Sequence, residues 1–236
     1  MRCGVVVFPG ANCDHDVYHA LKHVVGQEAY FLWHGDEDLK GADLVVLPGG
    51  FSYGDYLRAG ALAAHSPMMR AVQRHAAEGG LVLGICNGFQ ILLESGLLPG
   101  AMRHNRRQRF ECRDVHLKVE RSDTPYTRGY SAGQVISLPV AHAEGNYEAP
   151  EEMLDEIEAA GQVVFRYVDA AGEASDEANV NGSARNIAGV VSSGGNVLGM
   201  MPHPERAVEQ ILGGTDGLPL FAGLVESRRA MVAAAG

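Results

Sequence analysis

Three features of this chain have the residue types and spacing to attack a carbonyl. They are a cysteine at a strand-to-helix bend, a histidine two residues before a glutamate, and glycines where backbone N–H groups are needed. Cys86 follows the apolar run Leu81-Val82-Leu83-Gly84-Ile85 and precedes Asn87-Gly88 and the helix-like FQILLESGLL. Glycines two positions either side suit a bend too tight for larger side chains, making this the thiol counterpart of the serine nucleophile elbow. A thiol there stands clear of the sheet at a helix start, where free N–H groups favour negative charge. An ordinary cysteine is only a few per cent thiolate at neutral pH, and a helix start with a nearby histidine raises that fraction. A cysteine picked at random is more often a small buried hydrophobe. The flanking glycines and the switch from strand to helix reverse that weighting.

A cysteine acting on an amide needs a base to take its proton and later pass one to the leaving amine. The chain has 10 histidines, and Met201-Pro202-His203-Pro204-Glu205 singles one out. A residue before proline is pushed toward extended geometry, and in extended chain residues two apart point the same way. His203 and Glu205 then project together, so the carboxylate can accept from one ring nitrogen while the other faces the thiol, which is triad logic. The competing reading is a turn with a solvated carboxylate. Donors for an oxyanion come from two places. Pro48-Gly49-Gly50 closes a strand, and Gly50 lets a backbone N–H point inward; the N–H of Asn87, just after the nucleophile, is the natural second donor.

These groups need a scaffold that brings position 86 to position 203. Cys3–Phe8, Ala29–Trp33, Asp43–Leu47 and the run before Cys86 read as strands. Between them lie helical spacings at Asp14–Val25, about Tyr56–Ala64, and Pro67–Glu78. Nearly all-apolar strands alternating with helices indicate an open, mostly parallel α/β sheet with helices on both faces. Sites in such sheets form beyond the carboxyl ends of the strands, where Pro9-Gly10, Pro48-Gly49-Gly50 and Cys86 all fall. In the second half, Phe110–Val119, Gln134–Val140, Val163–Val168, Asn186–Ser192 and Val197–Met201 read as shorter, partly antiparallel strands. An acidic helix is expected at Glu151–Ala160 and a closing helix at Asp216–Ala234. With no linker or repeat evident, residues 1–236 are expected to form a single domain.

Composition excludes several classes. A hydrophobic fraction of 46% and a charged fraction of 20% over 236 residues are those of a soluble globular protein. A net charge of −10 argues against nucleic acid as partner and against a basic membrane-binding face. No apolar stretch approaches the roughly 20 residues that span a bilayer, and MRCGVVVFPGAN reads as a first strand, not a signal peptide. Cys3, Cys13, Cys86 and Cys112 show no CxxC pair or zinc-like spacing, so a reduced, cytoplasmic setting is expected. GGFSYGDYLRAG lacks the lysine of a phosphate loop, and neither a metal nor a cofactor site is expected on this chain.

With Pro-Gly-Gly after an earlier strand, then Gly-Ile-Cys-Asn-Gly-Phe-Gln, and His-Pro-Glu near the C-terminus, the chain resembles the class I (triad) glutamine amidotransferases. The longer stretches VVVFPGANCDHD, GGFSYGDYLRAGALAA, RFECR, PVAHAEGNY, NVNGSARNIAGV and GMMPHPER resemble, within that family, the glutaminase subunits of phosphoribosylformylglycinamidine synthase. The resemblance runs from Val5 to about Arg206 and implies a flavodoxin-like sheet. It implies Cys86 as nucleophile, His203 as base, Glu205 as its orienting residue, and Gly50 and Asn87 as oxyanion donors. Gln90 matches a position that contacts glutamine, or else is helix surface. His142, Ser183, Glu144, Arg185 and Asn186 are carried over as substrate-positioning or subunit-contact residues, or else are ordinary strand-end polar residues. Ala143 departs from the glycine expected there. The resemblance further implies that ammonia passes to a separate synthetase subunit carrying ATP and Mg, bridged by a small third subunit, in de novo purine synthesis. Loop Phe51–Arg58 is expected to face the synthetase, or else to be a solvated connection. A cysteine hydrolase of peptides or γ-glutamyl conjugates, and a silent regulatory module, are the alternatives. The long loop motifs speak against the first and the complete Cys-His-Glu set against the second.

Overall fold

The computed structural model describes residues 1–235. Strand β1 (Arg2–Val7) runs through Pro9-Gly10 into helix α1 (Asp14–His19), which widens to π spacing over Ala20–Val24. Then come β2 (Glu28–Trp33), β3 (Leu44–Leu47), the short α2 (Ala61–Ala64), α3 (Pro67–Ala77), β4 (Leu81–Ile85) and α4 (Asn87–Glu94). The second half adds β5 (Ala101–Arg103), β6 (Glu111–Val119), β7 (Val135–His142), β8 (Asn146–Glu148) and α5 (Glu151–Ala159). It ends with β9 (Val163–Val168), β10 (Ile187–Val191), β11 (Val197–Met200) and α6 (Leu218–Ala235).

Nine strands form one sheet in the order β2-β1-β3-β4-β11-β10-β9-β6-β7, and β5 pairs with β8 apart from it. From β2 to β11 every pairing is parallel; from β11 onward every pairing is antiparallel. The central strands β3, β4, β10 and β11 are buried at every position. This is why they read as unbroken apolar runs, since both faces of the sheet are covered. At the edge, β7 alternates buried and partly exposed residues, the pattern of a strand with one wet face. Helix α3 starts where Ser66 accepts the Met69 N–H at 3.3 Å, with Pro67 at its first position. Residues Asn87–Leu93 of α4 are all buried, so this helix is core and not an amphipathic cover.

The decisive topological feature is β11. It comes after all the other strands in the chain yet lies mid-sheet, parallel to β4, with Met200 paired to Ile85. The Cys86 N–H donates to the Met200 carbonyl at 2.8 Å. The two segments after Ile85 and Met200 therefore leave the sheet side by side at one edge.

Expected strands and helices match the observed ones to within a residue or two, with four differences. The helix expected over FQILLESGLL ends at Glu94, ahead of Gly96 at φ 72°. The helix expected over Tyr56–Ala64 is helical only from Ala61, because Leu57 and Gly60 adopt positive φ (71° and 82°), which breaks helix continuity. Helix Asp14–Val25 changes to π spacing after His19, with the Val25 N–H reaching back to the Ala20 carbonyl. The small β5–β8 pair was not expected; three-residue strands lack enough alternation to be read from sequence.

Candidate active site

Cys86 sits between β4 and α4 with φ 51° and ψ −106°, outside the regions a non-glycine residue ordinarily occupies. The glycines beside it make room for that bend. A Cβ on Gly88 would lie 1.9 Å from the Leu47 carbonyl oxygen, and one on Gly84 2.5 Å from Leu92 Cδ1. The thiol donates toward the Ala141 carbonyl of β7 at 3.7 Å.

His203 follows β11, its N–H anchored on the Pro139 carbonyl at 2.8 Å. Its Nδ1 meets Glu205 Oε1 at 2.6 Å, and both side chains are fully buried. A bond this short to a carboxylate assigns the proton to Nδ1 and leaves Nε2 to face the sulfur. Nε2 has no hydrogen-bond partner among the described residues. Gly49 marks where the groups converge. A Cβ built there would meet His203 Cε1 at 2.7 Å, Cys13 Sγ at 3.1 Å and Cys86 Cβ at 3.4 Å. Burial opposes a charged imidazole, but the Glu205 carboxylate and then the Cys86 thiol outweigh it and hold the ring's pKa well above its ordinary value.

Gly50 has φ 143° and is pressed against Ala11 and Asn12, where a Cβ would come within 2.8 Å of backbone; the neighbouring Phe51 N–H donates to the Gly10 carbonyl at 3.0 Å. Neither the Gly50 nor the Asn87 N–H donates to another backbone carbonyl among the described residues. The Asn87 side chain is fully engaged: Oδ1 accepts the Ser52 N–H at 3.1 Å and Nδ2 donates to Gln90 Oε1 at 2.8 Å. Gln90 in turn donates from Nε2 to the Glu144 carbonyl at 2.6 Å. Its amide thus ties α4 to the Glu144 turn.

His142, at the end of β7, is buried, and burial followed by the nearby His203 charge depresses its pKa to about 4. Its Nδ1 pairs with Asn105 Oδ1 at 3.0 Å. That oxygen can only accept, so Nδ1 carries the proton and Nε2 is a buried acceptor without a partner. Ser183 is placed differently. Its hydroxyl meets Tyr147 N, Gly145 O and Asn181 Oδ1, so it reaches the site only through the 143–147 turn. Arg185 pairs with Glu151 and Asp155 on the surface, and Asn186 holds Tyr167 and Ser175 carbonyls. Glu144 lines an open crevice of about 500 Å³ with Leu57, Arg58, Met102, His104 and Asn146. A cleft of about 800 Å³ lies at the amino ends of β4 and β11, far from Cys86 along the strands.

Two residues escaped sequence reasoning. Asn105 is fully buried although it stands in the charged run MRHNRRQRF; its side chain holds His142, Gly145 and the Arg109 carbonyl, and nothing local signals this. Cys13 is buried beside His203, where Arg206 Nη2 donates to its sulfur at 3.0 Å. The loop Phe51–Arg58 packs its Ser52 end on Asn87 while Phe51, Tyr56 and Leu57 stay exposed.

Residues 1–213 match the family model of the CobB/CobQ-like glutamine amidotransferase domain. The chain is 62% identical to the phosphoribosylformylglycinamidine synthase subunit PurQ of Rhodopseudomonas palustris (strain BisB18), over 96% of this chain and 97% of that one. It is 57% identical to the same subunit of Salinibacter ruber, over 95% of each chain. Among solved structures, PurLQS from Thermotoga maritima superposes with a TM-score of 0.85 at 45% identity, covering 96% of this chain and 98% of that chain. The chain therefore belongs to the glutamine amidotransferase family, in its branch of PurQ subunits of phosphoribosylformylglycinamidine synthase.

Proposed function

We propose that this chain, as one domain, is the glutaminase subunit of phosphoribosylformylglycinamidine synthase and hydrolyses L-glutamine through Cys86, His203 and Glu205. The observation that carries the reading is the convergence of His203 Cε1 and Cys86 Cβ on the space above Gly49, with Glu205 behind the ring. His203 Nε2 takes the thiol proton, and the sulfur attacks the side-chain amide carbon of glutamine. The oxyanion that forms is met by the N–H groups of Gly50 and Asn87, each such donor being worth roughly 2.7–4 kcal/mol in a dry site. The imidazolium then protonates the departing nitrogen, releasing ammonia and leaving a thioester on Cys86. A water, deprotonated by the same ring, hydrolyses the thioester to glutamate and restores the thiol. His142, held neutral with Nε2 as acceptor, is suited to take an N–H of the substrate. Gln90 and Ser183 act one step back, by fixing the turn that carries Glu144 and Gly145.

Ammonia is delivered to a synthetase subunit that uses ATP and Mg to convert formylglycinamide ribonucleotide to the amidine, with a small subunit bridging the two, in the cytoplasm. No helix among the described residues is long and apolar enough to cross a membrane. Exposed Phe51, Tyr56 and Leu57, on a loop bonded to Asn87, provide a route by which docking reaches the oxyanion donors. The test is glutamate release with and without the synthetase and its nucleotide substrate. Turnover should rise on adding them and vanish in Cys86→Ala; a Cys86→Ala chain that still releases glutamate would refute the chemistry. Equal turnover with and without the partners would refute the coupling.

A further inference from the structure

The mechanism above leaves Cys13 without a role, although it is buried within the same cluster. Cys13 Sγ, a ring nitrogen of His203 and a carboxylate oxygen of Glu205 all lie within 4.8 Å of one another. One buried polar atom of this group, Glu205 Oε2, has no hydrogen-bond partner among the described residues, whereas His203 Nε2 is accounted for by its place facing Cys86. Thiolate, imidazole and carboxylate are the donor set of zinc, with bonds of about 2.3 Å to sulfur and about 2.0–2.2 Å to nitrogen and oxygen. His203 Nδ1 is the ring nitrogen on the Glu205 side, at 2.6 Å from Oε1, and is therefore the one a cation shared with Glu205 would take.

We infer that a thiophilic divalent cation of the zinc class binds between Cys13, His203 and Glu205. Binding displaces the Cys13 thiol proton and the His203 Nδ1 proton to solvent and takes the Glu205 carboxylate off the ring, so the triad is silenced while the metal is held. The neighbourhood supports such a site. Arg206 Nη2 donates to the Cys13 sulfur at 3.0 Å while its Nε is anchored on Asp16 at 3.2 Å, outer contacts of the kind that fix metal ligands. A way in exists as well. A cavity of about 570 Å³ lined by Asp16, His19, Arg206 and Glu209 reaches Glu205, with Asp16 paired to Arg206 and Glu209 to His19. The metal would be an inhibitor, not a cofactor, and only that consequence rests on the glutaminase reading.

The experiment is cobalt and zinc binding to the full chain. Cobalt should give a thiolate-to-metal charge-transfer band in wild type and in Cys86→Ala, and none in Cys13→Ser. Zinc affinity, measured by competition with a chromophoric chelator, should fall about tenfold or more in Cys13→Ser. Without any substitution, zinc should slow alkylation of Cys13, read by mass spectrometry, and leave exposed Cys112 unaffected. A band that persists in Cys13→Ser, a band lost in Cys86→Ala, or Cys13 alkylation unchanged by zinc would each overturn the site. A chain that binds cobalt with this signature yet, once stripped of metal by a chelator, releases no glutamate even with its synthetase would overturn the glutaminase reading and leave the metal site standing.

Discussion

Gly49→Ala is the sharpest perturbation of the site, because it adds one methyl group and removes nothing. Gly49 does not use a positive φ, so the backbone accepts alanine without strain. The added carbon would lie 2.7 Å from His203 Cε1, 3.1 Å from Cys13 Sγ and 3.4 Å from Cys86 Cβ. The ring must retreat by about 0.7 Å to regain van der Waals distance, and misplacements near 1 Å cost on the order of 10²-fold in rate. Because the ring is buried and pinned at Nδ1 by Glu205, it cannot swing away freely. Overpacking of this size destabilises by about 1–3 kcal/mol, too little to unfold a typical domain. The assay is glutamate release in the presence of the synthetase, beside a thermal melt. Gly214→Ala, where an added Cβ meets nothing within 4 Å, is the control. A Gly49→Ala enzyme with wild-type kcat/KM would refute the claim that imidazole and thiol work across that space.

Asn105→Ala should destabilise the chain by about 3 kcal/mol in urea unfolding, since it strands several buried partners at a net value near 1 kcal/mol each. It should also raise KM for glutamine by loosening His142. The pKa of His142 falls from 6.5 to about 4 on folding, so the unfolded chain binds the proton more tightly and stability drops as pH falls from 6.5 through 4. At about 1.4 kcal/mol per unit, that group contributes roughly 3 kcal/mol to the acid limb, and His142→Gln should flatten the fall in Tm over that window. Burial, followed by Glu144, raises the Asp55 carboxyl from 3.8 to about 6. Its contribution is complete below pH 3.8 and lost as pH rises through 6, so Asp55→Asn should raise Tm at pH 8 and not at pH 3.5. Leu57→Asp, at an exposed apolar tip, should weaken co-elution with the synthetase.

The parallel half of the sheet was legible because its strands are buried on both faces and leave unbroken apolar runs such as Leu44–Leu47 and Leu81–Ile85. The meeting of Cys86 with His203 was legible for a different reason, since a glycine-flanked bend and a proline-framed His-x-Glu announce special backbone on each side. The central position of β11 could not be read, because strand order is set by tertiary packing and four-residue Val197–Met200 is like any other buried strand. The roles of Gln90 and Ser183 depend on which carbonyl their side chains find, and spacing does not encode that. Cys13 and Asn105 were invisible for the same reason. The bend at Tyr56–Gly60 was hidden because Leu57, a good helix former, adopts φ 71°.

The late arrival of β11 has a consequence for the life of the polypeptide. While the ribosome is still adding residues beyond Ser192, the slot between β4 and β10 stands vacant, and no imidazole is available to the sulfur. A one-residue slip of the inserted strand would turn its side chains to the opposite face and carry His203 away with it. With the proposed triad, nascent, truncated or misassembled copies would be chemically quiet, and ammonia would be generated only by chains that have finished folding.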